Sequence, residues 1–169
     1  MKTLVIYCFD PRASDIPEAV AAYFGDEVYP GENILDEAGN RIGHTRTLFT
    51  ETNGGGRAIN AIQSVAAMEY LFSLKNVVVV HHSFCGLTSF TPDHFNTEFH
   101  DHYHVDVSEM FDPESLVISD YEKSIKYDID LLRSSIAIPK HVNLYGFFYD
   151  LSSQQLTEVV RDIPETDKA

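Results

Sequence analysis

Two short runs constrain this chain more than anything else in it. Thr3-Leu4-Val5-Ile6-Tyr7 and Val77-Val78-Val79-Val80 are rich in β-branched and apolar residues, with no apolar–polar alternation. A strand of that kind is buried on both faces, which points to the interior of a parallel sheet covered by helices. Helix signals fall between and after these runs. Asp15 and Glu18 have capping-box spacing, Pro17 suits a first turn, and Gly25 can close the segment Ala19 to Phe24 in a left-handed conformation. Ile59, Ile62, Val65, Ala66 and Leu71 predict a helix ending near Lys75. Ser119 and Glu122 form a second capping box ahead of Ile125, Ile129, Leu132 and Ile136. Val142 to Tyr149 reads as a third strong strand, and Leu156 to Val160 as a returning strand or a short helix. Asp26 to Asn53 reads as loop with a short strand near Thr47-Leu48-Phe49, and Gly86 to about Asp112 shows little periodicity. The alternation predicts an α/β fold: a single domain over residues 1–169, a central mostly parallel sheet flanked by helices, and a polar tail fraying from about 164 to 169.

Composition excludes several classes of function. Of 169 residues 44% are hydrophobic and 22% charged, a globular rather than a disordered balance. The net charge of −14 repels phosphate backbones and anionic lipid, arguing against nucleic-acid or membrane partners. No apolar run approaches the roughly 18 to 20 residues of a bilayer span. The N-terminal residues carry one lysine but no long apolar stretch or small-residue cleavage site, so the expected location is cytoplasmic. In a reducing compartment, paired cysteines more often serve metal binding or catalysis than a disulfide.

Cys8 and Cys85 are the chain's two cysteines, and both follow apolar strands. Cys8 ends the first strand; His82 and Cys85 follow the second. In open α/β sheets the carboxyl ends of parallel strands face one crevice, so neighbouring strands would bring the three together. Two thiolates and one imidazole suit zinc, and three protein ligands with a fourth position open is the catalytic arrangement. The alternative is that both cysteines are inert, buried small hydrophobes. In Cys8-Phe9-Asp10-Pro11-Arg12, Asp10 either ligates the metal and closes the site, or pairs with Arg12 and leaves the metal to water; a plain loop-tying salt bridge is the third reading.

Cys8-x-Asp10-x-Arg12, then Asn53-Gly54-Gly55-Gly56, then His82-x-x-Cys85-Gly86, resembles the β-class carbonic anhydrase family, in an ordered match running from Thr3 to about Val160. The resemblance implies a zinc enzyme that hydrates carbon dioxide to bicarbonate, with one Zn2+ per chain held by Cys8, His82 and Cys85. It implies that Asp10 and Arg12 form the dyad in which Arg keeps Asp off the metal in the active form, and that the chain assembles as a homodimer or homotetramer. Zinc in such a site lowers the pKa of bound water, and the resulting hydroxide attacks an electrophilic carbon.

The sequence also departs from the family. Phe84 stands where an Asp is common, Pro11 stiffens the dyad loop, the third glycine of Gly54-Gly55-Gly56 is atypical, and the N-terminus lacks the helical arm of longer members. An apolar wall from Phe84, with Phe9 nearby, suits carbonyl sulfide, the alternative substrate, which related enzymes hydrolyse to hydrogen sulfide and carbon dioxide. The candidate pocket residues are Phe9, Gly55, Gly56, Phe84 and Gly86. Two further readings stay open: a zinc-stabilised module without turnover, and a cysteine-dependent hydrolase with His82 as base for Cys85. Strand alternation turns His81 away from His82, toward packing or a hydrogen bond. His100-Asp101-His102-Tyr103-His104 reads as a solvated loop, and His44, His94 or one of that group is a candidate proton shuttle. Gly54-Gly55-Gly56 lacks a P-loop ending and suits close backbone approach to a small pocket.

Overall fold

The computed structural model describes residues 2–164. In chain order the elements are β1 (Thr3–Cys8), α1 (Ile16–Phe24), β2 (Asn33–Leu35), β3 (Arg41–His44), β4 (Leu48–Asn53), α2 (Ile62–Phe72), β5 (Asn76–His82), α3 (Pro92–Tyr103), α4 (Pro113–Leu116), α5 (Tyr121–Ser134), β6 (Asn143–Asp150) and β7 (Gln155–Asp162). Five strands form one sheet in the order β4-β1-β5-β6-β7. β4, β1, β5 and β6 run parallel, and β7 returns antiparallel to β6.

The two apolar runs are the neighbouring strands β1 and β5, paired from Thr3↔Asn76 to Tyr7↔Val80. Alternation divides their side chains between two layers. Leu4, Ile6, Val77 and Val79 pack with Val65 of α2 and with Ile129 and Leu132 of α5. Val5, Val78 and Val80 pack on the opposite face with Ile16 and Val20 of α1. All four valines of β5 are fully buried, each contributing on the order of 1.5 kcal/mol of apolar transfer.

Several expectations change in detail. The 26–53 segment holds an antiparallel hairpin, β2–β3, and the full six-residue edge strand β4. The hairpin turn is organised by Asp36, whose Oδ1 accepts from the N–H of Ala38 and Asn40, with Gly39 in the left-handed region. Asp15 precedes α1 without a side-chain cap bond, its own backbone being already helical (φ −85, ψ −6), while Asp10 caps a separate 3-10 turn at Pro11–Ala13. The predicted 59–75 helix is shorter: a 3-10 turn at Ala58–Asn60 holds exposed Ile59 and leads into α2, and left-handed Ser73 stops it; Leu71, inside α2, is on its exposed face. At that stop Glu69 Oε2 accepts from the Leu74 N–H at 2.6 Å. The cap of α5 is Asp120 rather than Ser119, with Oδ1 accepting from Lys123 N at 2.7 Å. Ile136 lies beyond the end of α5 and is exposed. The 86–112 stretch contains α3, capped by Thr91 with Pro92 in its first turn. No residue of α3 is buried, which is why its sequence carries little periodicity. Residues 155–162 resolve the last ambiguity as a strand, and the tail expected to fray lies, from 165 on, outside the described residues. Among the described residues no helix is long and apolar enough to cross a membrane.

Gly56 fixes the glycine turn against the sheet. It sits at φ +69, and a Cβ there would lie 2.8 Å from Tyr7 Cα and 2.9 Å from Val80 O, backbone atoms that cannot yield. Gly25 has a similar φ of +73 with nothing within 4 Å. Gly25→Ala is therefore expected to cost about 1 kcal/mol for the left-handed backbone alone. Gly56→Ala should cost at least about 2 kcal/mol, since overpacking adds to the same conformational term. Denaturant midpoints of the two variants check the difference.

Candidate metal centre

The winding of the sheet decides where a site can form. From β1 the chain passes to β4 on one side; from β5 it passes to β6 on the other. The crevice between the carboxyl ends of β1 and β5 is thus the point where the strand order reverses, the usual ligand position in open α/β sheets. Cys8 is the last residue of β1 and His82 the last of β5, and Cys85 follows in the turn beyond. All three are buried, and their ligand-type atoms lie within 4.8 Å of one another. Asn53, the last residue of β4, pairs with Cys8 of β1 and leads into the Gly54–Gly56 turn, whose Gly56 lies against Tyr7 of β1 and Val80 of β5.

The hydrogen bonding of His82 prepares it to coordinate. Its Nδ1 lies 2.9 Å from the Ser83 carbonyl, which can only accept, so Nδ1 carries the proton. Nε2 is left buried with no hydrogen-bond partner. A ring tautomer fixed by a backbone carbonyl, with the other nitrogen free, is the arrangement of metal-ligating histidines.

The two thiols share charge unequally. Donation from Cys85 is the largest influence on Cys8, and it outweighs burial. With help from His82 and the N–H groups of Asp10 and Gly55, it brings the Cys8 pKa from an ordinary 9.0 down to about 4. Cys85 is pushed up, first by the Cys8 sulfur and then by burial. One proton leaves easily, but the second would put two thiolates side by side. A divalent cation removes that obstacle, so the donor set fits a soft metal better than it fits any metal-free ionisation state. For His82, burial opposes the charged form, but the Cys8 sulfur and the Ser83 carbonyl more than offset it and raise the pKa.

Asp10 is held by Arg12 rather than by the cysteine–histidine cluster. Oδ1 accepts from Arg12 N at 2.9 Å and Nε at 3.0 Å, and Oδ2 accepts from Nη2 at 2.6 Å. The guanidinium holds the Asp10 pKa down to about 2. Arg12 Nη2 also donates to the Phe84 carbonyl at 3.1 Å, tying the β1 loop to the β5 loop.

Phe9, Gly55 and Gly86 line a cavity of about 270 Å3 over the two cysteines, with Pro11 and Leu87 as further apolar walls and Asp10 as its carboxylate. Gly56 lies beneath it, against the sheet. Phe84 does not form the expected wall. Its backbone is left-handed (φ 57) and the residue is 68% exposed. His44, His94, His100, His102 and His104 all lie off the cavity. The expected solvated loop at 100–104 is the exposed end of α3, where His102 pairs with Glu98 at 3.0 Å.

Two residues escape the sequence reading. Arg57 and Asp128 are both fully buried and form an ion pair at 2.9 Å behind the glycine turn, with His81 Nε2 3.0 Å from the same Asp128 oxygen. The available signal was Asp128 itself: it lies three residues after Ile125 and four before Leu132, inside the apolar stripe of α5. A carboxylate there needs a buried partner.

No family model matches the sequence. The chain is 26% identical over 100 residues to β-carbonic anhydrase 1 of Mycobacterium tuberculosis and of Mycobacterium bovis. That match spans 59% of this chain and 59% of the length of those relatives. Among solved structures, carbonic anhydrase from Streptococcus mutans is similar with a TM-score of 0.69 and 26% identity, covering 94% of this chain and 81% of that one. Carbonic anhydrase from Glaciozyma antarctica (TM-score 0.66, 22% identity, 94% and 81% coverage) and a carbon disulfide hydrolase (TM-score 0.66, 20% identity, 92% and 76% coverage) share the fold. The chain has the β-carbonic anhydrase fold and resembles that class in sequence, as its motifs implied.

The asymmetry of the thiols has a direct readout. In metal-free protein one thiolate should be present at neutral pH and disappear as pH falls through about 4. Because the folded pKa is depressed below the ordinary 9.0, the stability that ionised Cys8 contributes is full only above about pH 9, declines steadily as pH falls, and is gone once pH has passed through about 4. Ultraviolet thiolate absorbance checks this, with Cys8→Ser expected to abolish the acid transition.

Proposed function

We propose that this chain is a zinc enzyme that hydrates carbon dioxide to bicarbonate. The observation that carries the reading is the convergence of Cys8, His82 and Cys85 with His82 Nε2 left free, beside an Asp10 that is held by Arg12. Cys8, His82 and Cys85 would hold one Zn2+, which when bound supplies Lewis acidity and makes water a competent nucleophile at moderate pH.

The chain's own residues do the rest. The Ser83 carbonyl keeps His82 in the coordinating tautomer. The N–H groups of Asp10 and Gly55 donate to the Cys8 sulfur, and that of Leu87 to Cys85, spreading thiolate charge into the backbone. Arg12 keeps Asp10 ionised and turned toward itself, so the carboxylate at the cavity wall serves as an acceptor that orients a water O–H. Phe9, Pro11 and Leu87 provide an apolar space for a small uncharged substrate.

The same apolar walls support a second reading, carbonyl sulfide hydrolysis, because the cavity's carboxylate is engaged by Arg12 and, among the described residues that line it, the rest are the two cysteines, glycines and apolar side chains. We also propose a homodimer or homotetramer: Phe9 and Phe84, each 68% exposed beside the site, are natural surfaces to cover. The free thiols on which the site depends suit the reducing cytoplasm.

Chelator treatment should abolish hydration and zinc should restore it; retained activity would instead favour a cysteine-dependent hydrolase. Activity should rise toward alkaline pH, as two thiolates donate more charge than imidazoles and leave the water less acidic. On the acid side, metal affinity should fall as His82 takes a proton at its raised pKa, an effect that equilibrium dialysis across pH measures. The ratio of kcat/KM for carbonyl sulfide to that for carbon dioxide on one zinc-loaded preparation decides between the substrates. Because Phe84 does not line the cavity, Phe84→Asp should leave this ratio near its wild-type value, without loss of stability, since Asp tolerates the left-handed backbone better than Phe.

A further inference from the structure

Behind the metal-ligand cluster lie three fully buried polar side chains to which the proposed chemistry gives no role: Arg57, Asp128 and His81. Asp128 Oδ2 accepts from Arg57 Nε at 2.9 Å and lies 3.0 Å from His81 Nε2. An aspartate paired to a guanidinium offers only acceptors, so Nε2 of His81 carries its ring proton. Well-packed apolar residues of similar volume often serve a core as well as a buried ion pair does, so the pair calls for a reason beyond stability.

The reason lies in what else Arg57 reaches. Nη1 donates to the Val117 carbonyl at 2.7 Å and Nη2 to the Glu114 carbonyl at 2.8 Å. Its backbone is gripped by Asn53, whose Oδ1 accepts from Arg57 N at 2.7 Å while Nδ2 donates to Arg57 O at 3.0 Å. The Gly54–Gly56 turn is therefore closed at both ends by one residue pair. Next to Val117, Ile118 packs directly on Cys8 and Cys85, and its N–H donates to Leu87 O at 2.9 Å. Asp128 meanwhile ties α5 to His81, the residue before His82 in β5. One forked side chain thus joins the glycine turn, the segment that roofs the cysteines, and, through Asp128, the end of the histidine-bearing strand.

We infer that Arg57, held by Asp128, is a positioning residue for the metal cradle: it fixes the spacing of Cys8, His82 and Cys85 by clamping the three walls that surround them. The inference rests on the proposed metal site. A lysine in its place would keep the charge near Asp128 but could not span the Glu114 and Val117 carbonyls with a planar fork.

The test uses Co2+ as a spectroscopic substitute for zinc in the full chain. Wild type, Arg57→Lys and Asp128→Asn are compared by visible ligand-field absorption and by affinity in competition with a chelator, with unfolding midpoints to establish that each is folded. The expected result is a wild-type protein that binds one equivalent of cobalt with an intense tetrahedral spectrum. Folded variants should bind roughly 10- to 100-fold more weakly, as outer partners of metal ligands do, with altered bands. Folded variants with wild-type affinity and spectrum would overturn the inference while leaving the metal site intact. Failure of both variants to fold would assign the pair to core stability and equally overturn it. A wild type that takes up no cobalt would instead overturn the metal site itself, and the inference with it.

Discussion

The arrangement of the candidate site depends on β1 and β5 lying side by side in parallel. Their connections leave in opposite directions, so no crossover covers the crevice at their carboxyl ends. Apolar residues facing both layers lock the pairing, because a slip of one residue would exchange the two packed faces. Such a slip would also displace Cys8 by about 3.3 Å relative to His82. That is far outside the tolerance of about 0.2 Å expected of metal–ligand distances. The core therefore supplies the precision on which the proposed chemistry relies, and the ligands need only stand at the right strand ends.

Two arginine–aspartate pairs show how environment divides labour between identical residue types. Arg12 and Asp10 meet at the cavity mouth, with the Arg12 side chain 58% exposed, so solvent screens the pair. A bond of that kind can open without unfolding anything. Arg57 and Asp128 meet in a dry interior, where separation would leave an unpaired buried charge. The first pair suits a group that holds a carboxylate conditionally; the second suits a permanent brace.

Much of this was legible in the residues, for identifiable reasons. β1 and β5 declare themselves because burial on both faces makes their central residues uniformly apolar, and β6 because it is rich in aromatic and apolar residues; Cys8, His82 and Cys85 follow from where β1 and β5 end. The hairpin β2–β3 did not, since its exposed Ile34, Leu35 and Ile42 face no core that would impose a pattern. Helix α3 was hidden for the same reason, although Thr91-Pro92-Asp93 is a sound start signal. The position of Phe84 could not be foreseen because it depends on a single left-handed backbone angle, which its residue type disfavours. Arg57 is a tertiary fact: nothing local to a glycine turn tells which helix, 71 residues later, will receive its guanidinium.

The hairpin has a practical meaning. It leads into the start of β4, which pairs with the start of β1 at Thr3, whereas Cys8 and His82 stand at the other end of the same strands. Its tip at Gly39 has open space around it and is tied down locally by Asp36. A coupling group grafted there would anchor the protein to a solid support by the end of the sheet remote from the cysteine–histidine cluster, leaving the cavity over that cluster facing the flowing solution.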